Sequence, residues 1–591
     1  MSEEIIRIAN CSGFYGDKLS AAKEMVEGGP IDVLTGDYLA ELTMTILFNQ
    51  KMQRGDDKGY VGTFLKQVKA VAQTCKEQNI KIVTNAGGLN PSSMANEIEK
   101  ILQELNISLK VAYLTGDDLM PRMDSLKMEG ESFLNIDKNI PIDKSGCQTL
   151  TANAYLGAWG IKEALDEGAD IVVCPRVTDA AVVIGPAAWK FNWSRDDYDA
   201  LAGALAAGHI IECGCQATGG NYSFFKEVPS FDNVGYPIAE IKNDGSFYIT
   251  KHPGTGGLVS TGTVTAQLLY EISAPAYLNP DVIAHFDTLN IEEVSKDRVY
   301  VSGCRGSSPT NTHKVCINLA GGYRNGMEFI LTGLDIEEKA QIISDALFNS
   351  VGGKEQFDEV SILLDRTDKK DPNSNEEAMA SLRISVKSKD ADLVGRMFTA
   401  KMVELALANY PGLYMGGAVR SGGPVLVYWP ALIDSKHIKE TVHIDGKEIN
   451  VMPTNQLDLE ETYYQKQPVE IPPPPSGETL NKPLGELFGA RSGDKGGCAN
   501  IGVWAKSENA FSFLNNFLTV EKIKQLMPDI SEFEIDRYEL PNILSLNFYI
   551  HDILEDGVSS NNRKDGQAKS LGEYLRAKYA DIPESLFEEN I

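Results

Sequence analysis

The chain has 591 residues, of which 42% are hydrophobic and 23% charged, as is typical of a folded protein with more than one core. Its net charge of −28, without a cluster of lysine and arginine, argues against nucleic acid or an anionic membrane as a partner. The sequence shows no signal or transit pattern and no apolar run long enough to span a membrane, so we expect a cytoplasmic protein. The nine scattered cysteines predict free thiols.

Short apolar segments alternate with helical patterns over the first two hundred residues. Strands separated by helices predict parallel pairing with crossover connections. We therefore predict an α/β domain over residues 1–207, with helices on both faces of a parallel sheet. The five predicted strands are Ile5–Ala9, Ile31–Leu34, Ile80–Thr84, Leu109–Leu114 and Asp170–Cys174.

The third predicted strand leads into a glycine-containing turn, and Pro91 then begins an amphipathic helix. Free amides and the positive end of a helix dipole at the carboxyl end of a strand favour anion binding, and glycines let a ligand approach closely. A tight turn whose N-cap is Asn90 explains the same pattern and stays open as the alternative. The residues predicted to bind substrate in this turn are Asn85, Gly87, Gly88 and Asn90.

Polar side chains also follow other predicted strands. Asp37 and Glu41 come after the second, and Arg176 and Asp179 come after the fifth. Because parallel strands end at one edge of a sheet, these groups are expected to form an acid/base set or a divalent cation site. Taken singly, each acid is better explained as a helix cap or a solvated residue, so only their convergence supports a site. No GxGxxG motif follows the first strand, so a nicotinamide dinucleotide is not predicted.

Residues 208–467 are richer in hairpins and are predicted to form an α+β region. Pro237–Thr250 has a clear hairpin pattern with a turn at Asn243–Gly245. Further on, two rounds of strand, strand and helix predict a mixed antiparallel sheet covered by helices on one face. The segments so predicted are Val299–Ser302, Lys314–Leu319, Phe329–Thr332, Ser361–Leu364 and Arg383–Val386 as strands, with Glu337–Phe348 and Asp392–Ala408 as helices.

A polar loop is predicted after His209. That histidine, Cys213 and Cys215 lack a second cysteine pair at zinc spacing, so no metal site is predicted, and a redox or metal protein remains only a minor alternative. The loop is better suited to hydrogen bonding with a substrate carbonyl or carboxylate. The residues predicted to do so are Gln216, Gly219 and Gly220.

Four consecutive prolines within Ile471–Gly477 predict a domain boundary, because they force an extended, semi-rigid spacer. We place a linker over residues 468–481 and a small C-terminal domain over residues 482–591.

The segment Gly489–Gly502 combines two cations, a carboxylate, a hydroxyl and five glycines, and is predicted to be a loop between two strands. Arg491 offers a planar fork and Lys495 a mobile charge, so the segment favours an anion, although its spacing differs from that of a Walker A motif. The alternative is a hairpin in which Asp494 pairs locally with one of the two cations.

Several motifs resemble the acyclic terpene utilisation (AtuA-type) family, and the likeness covers nearly the whole chain. They are Thr84–Pro91, Asp170–Asp179, Ala490–Gly496, Arg537–Asn542 and Val558–Lys569. The resemblance implies a ferredoxin-like C-terminal domain without an iron–sulfur cluster. It also implies a role in the bacterial breakdown of citronellol-like and branched acids through acyl-CoA intermediates.

Two loops of the C-terminal domain carry cations that are predicted to meet in a pocket for a carboxylate, a phosphate or a coenzyme A ester. These cations are Arg491, Lys495, Arg563 and Lys569. Our first hypothesis is an enzyme of lyase or hydratase type that acts on an acyl-CoA or carboxylate. The second is a non-catalytic metabolite-binding or accessory protein of the same pathway.

In the enzyme hypothesis, Asp179 or Asp494 is the base, and Arg491 and Lys495 hold the oxyanion or carboxylate. The glycine turn after the third strand would then hold phosphate groups. Ser492 is a weaker candidate nucleophile, because no GxSxG elbow surrounds it. The sequence identifies no cofactor and leaves open whether the chain forms a homo-oligomer.

Overall fold

The structure is a computed structural model that describes residues 4–454, 457, 462–465 and 469–588. Its strands, in chain order, are β1 (Ile5–Asn10), β2 (Val33–Gly36), β3 (Lys81–Thr84), β4 (Val111–Thr115), β5 (Thr149–Ala154), β6 (Ile171–Val173), β7 (Pro237–Lys242), β8 (Phe247–Lys251), β9 (Ala276–Tyr277), β10 (Ile283–His285), β11 (Asn290–Ser295), β12 (Arg298–Ser302), β13 (Arg305–Ser307), β14 (Thr312–Thr332), β15 (Glu359–Asp365), β16 (Met379–Ser388), β17 (Tyr414–Met415), β18 (Gly423–Asp434), β19 (Glu440–Ile444), β20 (Lys447–Val451), β21 (Thr479–Pro483), β22 (Gly489–Lys495), β23 (Cys498–Trp504), β24 (Ile535–Leu540), β25 (Ser545–Ile550) and β26 (Tyr579–Pro583).

The α-helices are α1 (Ala21–Glu27), α2 (Glu41–Arg54), α3 (Gly62–Gln78), α4 (Pro91–Glu104), α5 (Met123–Met128), α6 (Trp159–Asp166), α7 (Ala181–Phe191), α8 (Tyr198–Ile211), α9 (Thr261–Leu268), α10 (Ile336–Ser350), α11 (Phe398–Glu404), α12 (Glu508–Phe517), α13 (Val520–Leu526), α14 (Leu571–Arg576) and α15 (Ser585–Glu588). Among these helices, none is long and apolar enough to cross a membrane.

The first sheet has eleven strands in the order β11-β12-β8-β7-β1-β2-β3-β6-β4-β19-β20. Its central strands β1, β2, β3, β6 and β4 pair in parallel, which confirms the five predicted strands. Hairpins from later in the chain add antiparallel strands at both ends, so the sheet is mixed rather than parallel throughout. Strands from both sides of residue 207 therefore share one sheet.

Apolar side chains of the parallel strands alternate between two hydrophobic cores, one on each face of the sheet. Val83 lies in the core that contains residues of α6, α7 and α8, whereas Ile82 lies in the core that contains residues of α1, α3 and α4. Since successive residues of a strand point to opposite faces, this division confirms that helices cover both faces. It also leaves the carboxyl edge of the parallel strands open to other elements.

The second sheet is built on β14, a single strand of 21 residues. Its first half pairs with β5 and β18, and its second half pairs with β16 and β17. The sequence predicted two strands here because glycines interrupt the apolar pattern. The chain instead stays extended while its register against β18 shifts between Ala320 and Tyr323. The helix predicted over Asp392–Ala408 is broken at Gly395, whose backbone is not helical.

The C-terminal region contains a four-stranded antiparallel sheet in the order β22-β23-β25-β24, packed on residues of α12, α13 and α14. Strands β22 and β23 form a hairpin that turns at Gly496–Gly497. The predicted glycine-rich loop is thus a hairpin, because its glycines fit within extended strands. Residue 468 of the predicted linker lies outside the described residues, and β21 begins at Thr479 within that linker.

Hydrogen bonds join the C-terminal sheet to the segment that follows α9. The side chain of Asn500 donates to the carbonyl of Leu269 over 2.6 Å and accepts from the amide of Glu271 over 3.0 Å. A Cβ atom at Gly493 would lie 2.4 Å from the ring of Tyr270, so only glycine allows this close approach. These contacts hold the β22–β23 hairpin against the N-terminal part of the chain.

Candidate functional site

Arg176 lies at the carboxyl edge of the parallel strands and organises the inner part of the site. Its side chain is 2% exposed, its guanidinium lies 4.0 Å from the ring centroid of Tyr155, and its Nη1 lies 2.7 Å from a carboxylate oxygen of Asp179. The same nitrogen donates to the carbonyl of Val177 over 3.0 Å. Arginine suits this buried position, because its planar guanidinium both stacks on aromatic rings and pairs with carboxylates.

Glu41, the first residue of α2, connects this edge to β14. The hydroxyl of Tyr155 donates to its carboxylate over 3.2 Å, and Nζ of Lys314 lies 3.6 Å away. Burial alone would raise the pKa of Glu41, but Lys314 and Arg176 outweigh burial and lower it to about 2. Glu41 is therefore ionised at any working pH.

Asp37 has the opposite electrostatic environment. It accepts a hydrogen bond of 2.6 Å from the side chain of Asn85, and its other carboxyl oxygen is buried without a hydrogen bond. Burial, followed by the negative charges of Asp179 and Glu212, raises its pKa well above the ordinary value. Asp37 thus keeps its proton to a higher pH than an exposed carboxyl group does, and in its protonated form it is able to donate.

The C-terminal end of α8 brings in two further titratable groups. Nδ1 of His209 lies 3.3 Å from a carboxyl oxygen of Glu212, and the imidazole packs 5.1 Å from the ring of Tyr277. Burial and then the charge of Lys495 lower the pKa of His209 to about 4, so the imidazole is neutral. Burial, Asp179 and Glu271 raise the pKa of Glu212 well above its ordinary value.

The β22–β23 hairpin places Lys495 over this group. Nζ of Lys495 lies 5.4 Å from the ring centroid of Tyr277, and within the described ranges it has no ion pair within 4.0 Å. Burial and the neighbouring charge of Lys314 lower its pKa, although the carboxylates of Glu271 and Glu41 act in the opposite direction. Lys495 is the group through which the C-terminal sheet reaches the edge of the first sheet.

Asp494 lies on the same hairpin, 3.7 Å from Nζ of Lys569. Burial and the charge of Glu271 raise its pKa to about 7, which suits proton transfer near neutral pH. Lys569 also lies 3.4 Å from Glu271 and contacts the hydroxyl of Tyr270. The carboxyl of Asp494 is therefore held between one cation and one acid.

Arg491 stacks 4.3 Å from the ring centroid of Tyr270 and is 7% exposed. Its Nε and Nη2 atoms are buried without a hydrogen-bond partner. The side chain lines a cleft of about 590 Å³ between the two parts of the chain, together with Ser492, Lys569, Phe225 and Phe231 among others. Unused guanidinium donors beside a second cation are an arrangement that favours a carboxylate or phosphate.

These groups form one continuous charged cluster. Its basic members are Arg176, Lys314, Arg491, Lys495 and Lys569, and its acidic members are Asp37, Glu41, Asp179, Glu212, Glu271 and Asp494.

Two of these acids, Asp37 and Glu212, have strongly raised pKa values, so they bind a proton more readily than exposed acids do. The side chains of Glu41, Lys314 and Asp179 keep exposed fractions of 29–31%, so solvent reaches the cluster. An acidic protein thus gathers five basic side chains in one place that solvent reaches.

The structure brings together most of the charged residues that the sequence predicted as a site, but not all. Arg563 pairs with Asp529 over 3.0 Å instead of joining the cluster. The hydroxyl of Ser492 accepts the amide of Gly572 over 2.9 Å and is 1% exposed, which removes the freedom that a nucleophile needs. The predicted residues that do join are Asp37, Glu41, Asn85, Arg176, Asp179, Arg491, Asp494, Lys495 and Lys569.

The turn Asn85–Asn90 is tightly packed against the rest of the protein. Its amides from residue 86 onward donate to protein oxygens over 2.8–3.2 Å, and Asn90 caps α4 by accepting the amide of Ser93. A Cβ at Gly87 would lie 2.5 Å from the carbonyl of Cys174, and one at Gly88 would lie 2.3 Å from the side chain of Leu47. The two glycines are thus required by packing within the protein, and the turn has no free amides for a phosphate.

The loop after α8 is also tightly packed around its glycines. A Cβ at Gly219 would lie 3.1 Å from the amide of Leu258, and one at Gly220 would lie 2.8 Å from the carbonyl of Cys215. Gln216 keeps a buried side-chain oxygen without a hydrogen bond. In the described ranges no group of three His, Cys, Asp or Glu side chains is placed to hold a metal ion.

Sequence reasoning missed several members of the cluster. They are single polar or aromatic residues in otherwise apolar or unremarkable segments, so no local motif marks them. Only the alternation along β14, where a lysine interrupts an apolar pattern, offered a signal. The missed residues are Tyr155, Glu212, Tyr270, Glu271, Tyr277 and Lys314.

Comparison with known proteins gives two family matches. The family described as acyclic terpene utilisation family protein AtuA matches residues 6–444, and the AtuA ferredoxin-like domain matches residues 482–579. No curated protein matches the chain. The first match spans more than half of the chain and contains the edge of the first sheet, whereas the second contains the β22–β23 hairpin. The chain therefore belongs to the acyclic terpene utilisation family, and its C-terminal sheet is the ferredoxin-like domain.

Proposed function

We propose that the protein is an enzyme of acyclic terpene or branched-chain acid breakdown that acts on an acyl-CoA or a carboxylate, with lyase or hydratase chemistry. The observation that carries the proposal is the charged cluster at the junction of the two matched regions. It combines buried cations with unused donors and carboxyl groups of raised pKa, among them Asp494 with a pKa of about 7. Such paired perturbations are typical of sites that bind anions and transfer protons.

Anion binding is assigned to Arg491 and Lys569, at the cleft of about 590 Å³. The sequence paired Arg491 with Lys495 as the clamp. The lowered pKa of Lys495 weakens that assignment, since its charge is less secure than the charge of Lys569. The partly exposed rings of Phe225 and Phe231 border the same cleft and offer an apolar surface to an acyl chain.

Proton transfer is assigned to Asp179 and Asp494. The buried guanidinium of Arg176 holds the carboxylate of Asp179 in one orientation. The Asp179 side chain nevertheless stays partly exposed. Asp494 has a pKa of about 7 and exchanges a proton at little cost near neutral pH. An enzyme that adds or removes water next to a carbonyl needs one group of each kind, a base and an acid.

A second candidate function is metabolite binding without turnover. Arg176 pairs with Asp179, and Lys314 pairs with Glu41. Ion pairs of this kind also serve to shape a binding pocket. An enzyme and a binding protein are expected to show the same ligand affinity here, and only the enzyme forms a product.

The test is incubation of the purified chain with branched acyl-CoA thioesters and the matching free acids, followed by mass spectrometry. We expect a product that differs from its substrate by water or by a cleaved fragment, and we expect Asp494→Asn to slow its formation while the chain still binds. Binding without any product in the whole panel would favour the metabolite-binding function. Absence of both binding and product contradicts the proposal.

A further inference from the structure

Lys495 differs from the other lysines of the charged cluster in its partners. Lys314 lies 3.6 Å from Glu41, and Lys569 lies 3.4 Å from Glu271 and 3.7 Å from Asp494. Within the described ranges Lys495 has no carboxylate within 4.0 Å, and its head group faces the ring of Tyr277. An enclosed ammonium that lacks a counter-ion loses the interaction that normally keeps its proton.

Burial, followed by the charge of Lys314, lowers the pKa of Lys495, while the charges of Glu271, Glu41 and Glu212 act in the opposite direction. A lysine in an apolar setting beside another cation is a common way to obtain an amine that attacks carbonyl carbon at neutral pH. Lys495 as a whole residue is partly exposed.

The hairpin presents two basic side chains on one face. Arg491 and Lys495 are four residues apart on β22, and alternate residues of a strand share a face. Arg491 contacts Tyr270, and the residue between them, Gly493, would contact the same ring through a Cβ. A ligand whose anionic end lies at Arg491 therefore meets β22 on the face that carries Lys495.

We propose that Lys495 is a nucleophile that forms an imine with the ketone or aldehyde carbonyl of an acid. This inference rests on the proposed function and narrows its substrate class to carbonyl-bearing acids. Nζ attacks the carbonyl carbon, one amine proton and one proton from solvent go to the oxygen, and water leaves as the C=N⁺ bond forms. The iminium then accepts the electron pair of a neighbouring bond as that bond breaks, which gives an enamine. A broken C–H bond gives its proton to the carboxylate of Glu212, whereas a broken bond to a carboxylate releases carbon dioxide.

Return to the starting enzyme requires one proton and one water. Glu212, whose carboxyl group acts on Lys495 within the cluster, supplies the proton to the enamine carbon. Water then adds to the iminium carbon, the C–N bond breaks, and the carbonyl product leaves with the amine restored. No oxidant, reductant or metal enters this sequence.

The experiment is borohydride trapping on the full chain with acetoacetate, which carries both a ketone and a carboxylate. Peptide mass spectrometry should find a reduced adduct on Lys495, and butyrate, which lacks the ketone, should give none. The variant Lys495→Arg, which keeps a cation, should give no adduct. An adduct confined to other lysines, or absent from Lys495, overturns the inference.

A second measurement needs no variant and no natural substrate. Pyridoxal 5′-phosphate, an aldehyde with an anionic group, is reduced onto lysines of the wild-type chain, and labelling rates are compared within the same sample. Lys495 should react faster than Lys564, whose side chain is 72% exposed, since a lowered pKa leaves a larger share of the amine unprotonated. Acetoacetate should protect Lys495 selectively. Equal rates at both lysines would overturn the inference.

The two proposals fail in different ways. Turnover of a branched acid without any trapped adduct leaves the proposed function standing and removes the imine. A trapped adduct at Lys495 without turnover in the acyl panel keeps the nucleophile and shows that the substrate class was chosen wrongly.

Discussion

The turn Asn85–Asn90 and the hairpin Gly489–Gly502 look alike in sequence, since both place glycines beside polar residues. Their surroundings differ. In the turn, added Cβ atoms would meet the carbonyl of Cys174 or the side chain of Leu47, and the amides are already bonded within the protein. In the hairpin, Arg491 keeps two buried donors without partners beside an open cleft. Unused polar atoms, rather than glycines, distinguish a binding site from a packed turn.

The comparison predicts that the turn governs stability. We expect Gly87→Ala to lower the free energy of unfolding by about 3 kcal/mol, because the new methyl would lie 2.5 Å from a backbone carbonyl that cannot move alone. Chemical denaturation measures the loss. Gly62→Ala is the matched control, since an added Cβ at Gly62 meets nothing within 4 Å, and it should be neutral or slightly stabilising. Equal effects of the two changes would contradict the packed turn.

The hairpin should govern ligand binding instead. Arg491→Met keeps an apolar stem on Tyr270 but removes the buried donors, so the free energy of unfolding should stay level or rise. Affinity for isovaleryl-CoA or isovalerate, measured by calorimetry, should fall by about 2 kcal/mol, which is roughly thirtyfold, the usual contribution of hydrogen bonds to charged groups. A loss of stability with unchanged affinity would make Arg491 a packing residue like Gly87.

The outline of the first sheet was predictable because its parallel strands are short, continuous apolar runs. The hairpin was not, because five glycines conceal its extended pattern, and β14 was divided in two for the same reason. Within the site, Arg176 and Lys495 were found because each stands in a distinctive motif. Tyr277 and Lys314 were missed, since a residue that acts only through neighbours distant in sequence leaves no local pattern.

A third prediction concerns the pH dependence at Asp494. Its pKa of about 7 in the folded protein exceeds the ordinary value of 3.8, so between these pH values the folded state binds more protons at this carboxyl than the unfolded state does. Stability therefore falls as pH rises toward 7. Asp494→Asn removes this contribution, so the variant should gain on the wild type by at least about 1.4 kcal/mol, the equivalent of one pKa unit, between pH 5.5 and pH 8.

The measurement is urea denaturation of both proteins at each pH. Other buried acids, such as Asp37 and Glu212, titrate in both proteins and cancel in the difference. Parallel stability curves for the two proteins would contradict the assignment of a raised pKa to Asp494. A variant that loses stability relative to the wild type as pH rises would mean that this pKa is lowered instead.

The smallest effect is expected at Arg563. This residue lies within a family motif but outside the charged cluster. It lies in a segment that resembles the family as closely as the segment of Arg491, yet it pairs with Asp529 over 3.0 Å at side-chain exposures of 27% and 46%. An ion pair so open to water contributes about 0–1 kcal/mol. Arg563→Met, the same change as at Arg491, should therefore alter affinity for isovaleryl-CoA less than about twofold. A loss as large as that of Arg491→Met would mean that the ligand reaches well beyond the cleft, and that Asp529 only holds Arg563 until the ligand arrives.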